Sequence, residues 1–246
     1  MPQAKAVITD YIGTLTNAHN YNLEASTIKL HKTLTKTGFK TDKEEFLEAY
    51  THAHEKYRVV RYQKLREVTN AVWISEALNN LGYETSAEDP HVKVALNIFF
   101  QDYVDSLELR PYAKKLIRKL SENCKLGLVS NFTYAPVIYA SLRKLGINQF
   151  FSAILVSDET GWRKPHKSIF QDALKKLQVK AEEAVFIGDS PLEDIKGAQA
   201  AGMRTAFVPS QFYTLKNLRE SCQKPDIIVG DLCEIYRDLF KIITLR

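Results

Sequence analysis

The sequence predicts an α/β protein built on a doubly wound parallel sheet, with an α-helical unit inserted after the first strand. Three observations predict it. From Pro111 onward, short apolar runs alternate with amphipathic helical segments, a pattern that implies right-handed crossovers between parallel strands. One further apolar run, residues 4–8, stands apart near the start and leads into a carboxylate, Asp10, and a glycine turn at Gly13. Between them, from about Asn17 to Glu108, no comparable strand occurs and apolar residues recur at helical spacing.

Taken in order, residues 4–8 carry the continuous apolar pattern of a central parallel strand. Helices are expected over 23–37, 42–58, 68–81 and 91–107. Trp73, Ile74, Ala77, Leu78 and Leu81 show the three-and-four repeat of an amphipathic helix. Gly38 and Gly82 sit where helices would stop, and Thr41 or Asp42 would cap the next one. Strands are then expected over 125–129, 153–156, 184–187, 205–208 and 227–229. Helices should lie over 112–120, 135–145, 168–177, 192–201 and 232–242. The layout is a discontinuous core, residues 1–16 and 109–246, around a helical insertion, residues 17–108.

Composition narrows the function classes. Of 246 residues, 45% are hydrophobic and 26% charged, the balance of an ordinary globular chain. The net charge of +5 comes from 34 basic and 29 acidic residues that are interspersed, which suits a small anionic substrate and lacks the basic stripe of a nucleic-acid binder. No run approaches the roughly 18 apolar residues of a membrane span. The first residues lack the apolar stretch of a signal peptide. Cys124, Cys222 and Cys233 form no CxxC pair, which fits a reducing compartment with no disulfide or thiolate metal site. A cytoplasmic protein, monomer or homodimer, is expected.

Four clusters carry chemistry. Asp10 should emerge at the carboxyl edge of the sheet, where open α/β sheets bind ligands. A carboxylate there can attack an electrophilic phosphorus or carbon, or merely cap the turn at Gly13-Thr14. Ser130-Asn131 ends the second apolar strand, offering a hydroxyl and an N–H, though such a pair is also common in plain turns. Lys164 precedes Pro165, which disfavours a helical conformation at the lysine. Gly188-Asp189-Ser190-Pro191-Leu192-Glu193-Asp194 places two carboxylates at a strand end, a donor set suited to octahedral Mg²⁺.

In this order and spacing the four clusters resemble the haloacid dehalogenase superfamily, and the insertion looks like its C1-type helical cap on a Rossmann-like core. The resemblance implies Asp10 as nucleophile, with Ser130 and Lys164 completing the catalytic set. Thr14 and the Asn131 amide would join in binding substrate. Asp10, Asp189, Asp194 and the backbone carbonyl of Ile12 would hold Mg²⁺.

One position departs from that pattern. Most phosphatases of the superfamily have Asp-x-Asp-Gly-Thr-Leu, and Ile12 stands where the second Asp, the general acid/base, belongs. General acid/base catalysis contributes about 10²–10⁴-fold, and isoleucine can neither give nor take a proton. Three readings follow: a Mg²⁺-dependent phosphohydrolase with an unusual proton path, a weak or inactive phosphate-binding protein, or a phosphonate or haloacid hydrolase. Haloacid dehalogenases also lack the second Asp but have Tyr there and lack the Gly-Asp metal motif. Phosphonoacetaldehyde hydrolases keep Mg²⁺ and use a cap lysine, for which Lys29, Lys32, Lys56 and Lys64 are available. Arg58 and Arg61, three residues apart, would share a helix face and could bind a second anionic group, unless that face is simply solvated.

Overall fold

β1 (Ala6–Thr9) occupies the middle of a parallel sheet in the computed structural model, which describes residues 3–244. Met1, Pro2, Leu245 and Arg246, the ends of the expected core, lie outside that range. The chain continues through β2 (Thr16–Ala18) and the helices α1 (Leu23–Lys36), α2 (Lys43–Gln63), α3 (Asn70–Asn80) and α4 (Pro90–Ser106) to β3 (Leu107–Leu109). Next come α5 (Ala113–Ser121), β4 (Lys125–Ser130), α6 (Ala135–Lys144), β5 (Ala153–Val156), α7 (Ser157–Thr160) and α8 (Lys167–Leu177). The chain ends with β6 (Ala184–Gly188), α9 (Lys196–Ala200), β7 (Arg204–Phe207), α10 (Leu215–Glu220), β8 (Ile227–Ile228), α11 (Leu232–Arg237) and α12 (Phe240–Ile243).

The main sheet has six strands in the order β5-β4-β1-β6-β7-β8, every pair parallel. All four residues of β1 are buried, so the strand needs an apolar side chain on both faces. Val7, Leu126, Leu128, Val185 and Ile187 point one way, into a cluster with Leu116 and Ile117 of α5 and Ile138 of α6. Ala6, Ile8, Val129 and Phe186 point the other way, against Ile169, Phe170 and Leu177 of α8. The sequence alternation therefore yields the doubly wound α/β architecture.

Helices α1–α4 bury a separate cluster that includes Leu30, Leu34, Phe46, Trp73, Ile74, Leu96 and Phe99. Asn22, Asp42 and Asp89 each accept a backbone N–H at a helix start, satisfying donors that a helix leaves orphaned. α2 runs to Gln63, beyond the expected end at 58, and its last turn buries Arg61. The pairing of β2 with β3 carries no sequence signal: three residues each, antiparallel, with Thr16 opposite Leu109. That pair joins the helical unit to the sheet. The expected helix over 192–201 begins instead as a wide π turn, Pro191–Ile195, because the Asp194 side chain accepts the N–H groups of Asp189 and Ser190. The expected helix over 232–242 breaks at Asp238 into α11 and α12. Among the described residues no helix is long and apolar enough to cross a membrane.

Arg110, just past β3, ties the junction to the loop after β1. Its guanidinium donates to the carbonyl oxygens of Gly13 (2.7 Å), Thr14 (3.2 Å) and Pro209 (2.7 Å). Arg110→Met leaves these acceptors without their donor, an expected loss of about 1–3 kcal/mol. Urea unfolding checks it, and an unchanged midpoint would show that the loop is held by other means.

Candidate active site

The carboxyl ends of β1, β4 and β6 converge on one cleft of about 230 Å³, lined by Asp10, Ile12, Ser130, Asn131, Asp189 and Asp194 together with Tyr103, Phe132, Ser190, Glu193, Phe212 and Tyr213. Asp10 follows β1 and is fixed by its N–H, which donates to Ile187 O at 2.9 Å. The chain then turns sharply: Gly13 has φ +101°, and a Cβ there would lie 2.3 Å from Asp189 Oδ2. Glycine is therefore required at position 13 for conformation and for space. Gly188 is required for space alone, since its Cβ would meet the Asp194 carboxylate at 2.4 Å.

Lys164 is fully buried, and its ammonium lies 2.7 Å from Asp10 Oδ1, 2.7 Å from Asp194 Oδ1 and 3.0 Å from Val129 O. Burial alone would pull its pKa down, but the two carboxylates outweigh that and hold it above the ordinary lysine value. Its backbone is clamped by Asn131, whose Oδ1 accepts Lys164 N at 2.8 Å and whose Nδ2 donates to Lys164 O at 3.0 Å.

Asp10, Asp189 and Asp194 are all buried and bring carboxylate oxygens within 4.8 Å of one another. The ammonium pairs with only two of the three carboxylates, Asp10 and Asp194. Burial first, then the neighbouring negative charges, push Asp189 well above the carboxylate range. Burial likewise raises Asp194, against the opposing pull of Lys164. Asp10 Oδ2 is buried with no hydrogen-bond partner. An excess of buried negative charge in an all-oxygen donor set fits a hard divalent cation such as Mg²⁺.

The expected residues fare differently. Asp10, Ile12, Ser130, Asn131, Asp189 and Asp194 share the cleft, and Lys164 lies against it. Thr14 does not line it: its side chain is fully buried and its hydroxyl donates to Asp189 Oδ1 at 3.2 Å, so it supports a carboxylate. Arg58 and Arg61 are not a pair. Arg58 is exposed beside Glu55 at 3.4 Å, whereas Arg61 is buried with Glu67 at 2.8 Å, because the α2 face turns inward at its last turn. None of Lys29, Lys32, Lys56 and Lys64 lines the cleft; Lys29 pairs with Asp102 and Lys56 with Glu76.

Sequence reasoning missed several groups. Ser210, after β7, donates to Asp189 Oδ2 at 2.5 Å. Its place beyond a central strand end was a usable signal. Glu193 lay within the acidic motif without an assigned part, and it accepts Asn131 Nδ2 at 3.0 Å. Tyr103 comes from α4, stacks on Phe132 at 5.6 Å, and walls the cleft from the helical side. Tyr103 and Phe132 also border a second chamber of about 320 Å³ within the helical unit, lined by His54, Arg61, Asn70 and Trp73 among others.

A family model for haloacid dehalogenase-like hydrolases matches residues 4–202. The chain belongs to that family and is a hydrolase. It is 32% identical over 155 residues to a glyceraldehyde 3-phosphate phosphatase of Methanothermobacter thermautotrophicus, a match covering 61% of this chain and 68% of that protein. It is 33% identical over 134 residues to a ribulose-1,5-bisphosphate 5-phosphatase of Halopiger xanaduensis, covering 53% of this chain and 56% of that one. The crystal structure of a 2-haloacid dehalogenase from Pseudomonas syringae superposes with a TM-score of 0.69 at 22% identity, over 97% of this chain and 99% of the other. At that identity the likeness is one of fold.

Saturating Mg²⁺ should raise the melting temperature, since binding at about 100 Kd contributes roughly 2.7 kcal/mol. Asp189→Ala should abolish the gain, and so should Gly13→Ala, whose new methyl displaces the Asp189 carboxylate. Calorimetry showing undiminished Mg²⁺ binding in both variants would place the cation elsewhere.

Proposed function

We propose that the protein is a Mg²⁺-dependent phosphohydrolase acting on a small phosphorylated metabolite through an aspartyl intermediate on Asp10. The observation that carries this reading is the pairing of Lys164 with Asp10 Oδ1 while Asp10 Oδ2 stays unbonded at the cleft. The paired oxygen anchors the carboxylate, and the other keeps its lone pairs for attack. A phosphatase reading also agrees with the names of the relatives above. The cleft volume, about 230 Å³, suits a phosphate and a short leaving group. Residues 17–108 act in this reading as the cap over a core of 1–16 and 109–246, in a cytoplasmic enzyme.

Mg²⁺ held by Asp10, Asp189, Asp194 and the Ile12 carbonyl would neutralise phosphate charge. The Ser130 hydroxyl and the Asn131 N–H orient the phosphoryl oxygens from the end of β4. Lys164 offsets the negative charge of Asp10 against the incoming anion. Asp10 Oδ2 attacks phosphorus, and the bond to the ester oxygen breaks with its electron pair leaving on that oxygen. Water then attacks phosphorus of the phosphoaspartate, and the P–O bond to Asp10 breaks with its electron pair returning to the carboxylate. Inorganic phosphate leaves with the water oxygen while the surplus proton passes to solvent. Ile12 offers no proton in either half, so the leaving oxygen must be a stable anion or take its proton from solvent.

A second reading rests on that same residue: with Ile12 in the acid/base position, the protein binds phosphate and Mg²⁺ but turns over slowly. Leaving-group acidity separates the two. An enzyme without its acid should cleave aryl phosphates far faster than alkyl phosphates, and Ile12→Asp should raise alkyl phosphate turnover towards the roughly 10²-fold lower bound for acid/base catalysis. An Ile12→Asp protein that folds, binds Mg²⁺ and gains nothing on any phosphate ester counts against phosphohydrolysis.

A further inference from the structure

The helical unit touches the sheet at a second place, far in sequence from the β2–β3 junction. Residues 64–69, between α2 and α3, lie alongside residues 161–163, immediately before Lys164. Glu67 N donates to Gly161 O at 3.0 Å, and Arg163 N donates to Leu65 O at 3.0 Å. The Arg66 guanidinium lies 4.2 Å from the centre of the Trp162 ring, a cation–π contact.

Glu67 is the centre of this contact, with its side chain 1% exposed. Oε1 accepts from Arg61 Nε at 2.8 Å and from Val68 N at 3.1 Å. Oε2 accepts from Arg163 Nη1 at 2.6 Å and from the Ser157 hydroxyl. One buried carboxylate is thus held by donors from both units, and its acceptor sites are filled. Arg163 is 4% exposed and reaches on to Glu193 Oε1 at 3.7 Å. Glu193 holds Asn131, and Asn131 holds the Lys164 backbone from both sides. A continuous line of charged and hydrogen-bonded groups therefore runs from Glu67 to the ammonium beside Asp10.

We infer that Glu67 is a positioning residue: it docks the helical unit on the sheet domain and, through Arg163, keeps Lys164 set between Asp10 and Asp194. The inference rests on the proposed reading only in taking Lys164 to act at Asp10. A residue 97 positions before Lys164 thereby governs the geometry of the reacting carboxylate without touching it. Docking and active-site order rise and fall together, because the same side chain serves both.

The test uses the full chain with Mg²⁺, p-nitrophenyl phosphate as the probe, and amide hydrogen exchange as a second readout. Glu67→Gln keeps the shape but removes the charge that orients both guanidinium groups. It should lower kcat by about ten- to a hundredfold, as misplacement of a reacting group does, with KM moved by less than about threefold. Exchange should rise together over 64–69 and 161–166. Glu76→Gln, which breaks the Lys56–Glu76 pair inside the helical unit, should leave kcat and those segments unchanged. Arg163→Met should resemble Glu67→Gln, and the double variant should be little worse than either, since both break one linkage. If Glu67→Gln fails to fold, Ser157→Ala removes one donor to Glu67, together with the acceptor of Phe132 N, and should shift both readouts in the same direction by less. The inference is overturned if exchange rises over 64–69 while 161–166 stays protected, or if Glu67→Gln and Glu76→Gln lower kcat equally. A wild-type protein without turnover on any phosphate ester would remove the phosphohydrolase reading, and the paired exchange of the two segments would then decide this one alone.

Discussion

The structure turns on one buried ammonium shared by two carboxylates. Lys164 lies between Asp10 and Asp194 with no water needed to complete its bonding. Desolvating a charge is costly unless partners replace the water, and breaking a buried ion pair costs more than an exposed one. Three strand ends must therefore arrive together: β1 delivers Asp10, β6 and the turn after it deliver Asp194, and β4 delivers the Val129 carbonyl and Asn131. The strand order that puts β1 between β4 and β6 follows from this requirement as much as from apolar packing. Even so, one ammonium does not balance three buried carboxylates, and the surplus suits the cleft to a cation.

The sheet was legible in the sequence because buried parallel strands must be apolar on both faces, which leaves a run such as Ala6-Val7-Ile8. The helices were legible because each hides only one stripe. Asp10 and the acidic motif were legible because each lies at a strand end, and Lys164 because it precedes a proline in a recognisable order. What escaped was whatever depends on long-range meeting. The β2–β3 pair is three residues long on each side and separated by the whole insertion. Arg58 and Arg61 were grouped by helical spacing, yet tertiary packing decides which of them faces Glu67 and which faces solvent. Thr14 was expected among the substrate contacts by resemblance, but its hydroxyl is held by Asp189.

Ile12 shows how far a local departure can leave the surrounding frame intact. Its side chain packs against the apolar cluster of the sheet, and its backbone still bridges to Thr16. The turn is set by Gly13 and by the hydrogen bonds of Arg110, neither of which involves the side chain at position 12. Chemistry and architecture are thus separable here: the loop keeps its shape while losing a titratable group.

The β2–β3 pair has a topological consequence. Thr16 and Leu109 sit opposite each other, so the chain leaves the sheet domain and re-enters it at neighbouring points. To the sheet, the 90 residues from 18 to 107 amount to the tip of a hairpin. Lengthening, shortening or exchanging that tip changes no strand order and strains no crossover. The sheet domain can therefore keep its carboxylates while the unit above them is remodelled, provided the replacement brings its own carboxylate to meet Arg163.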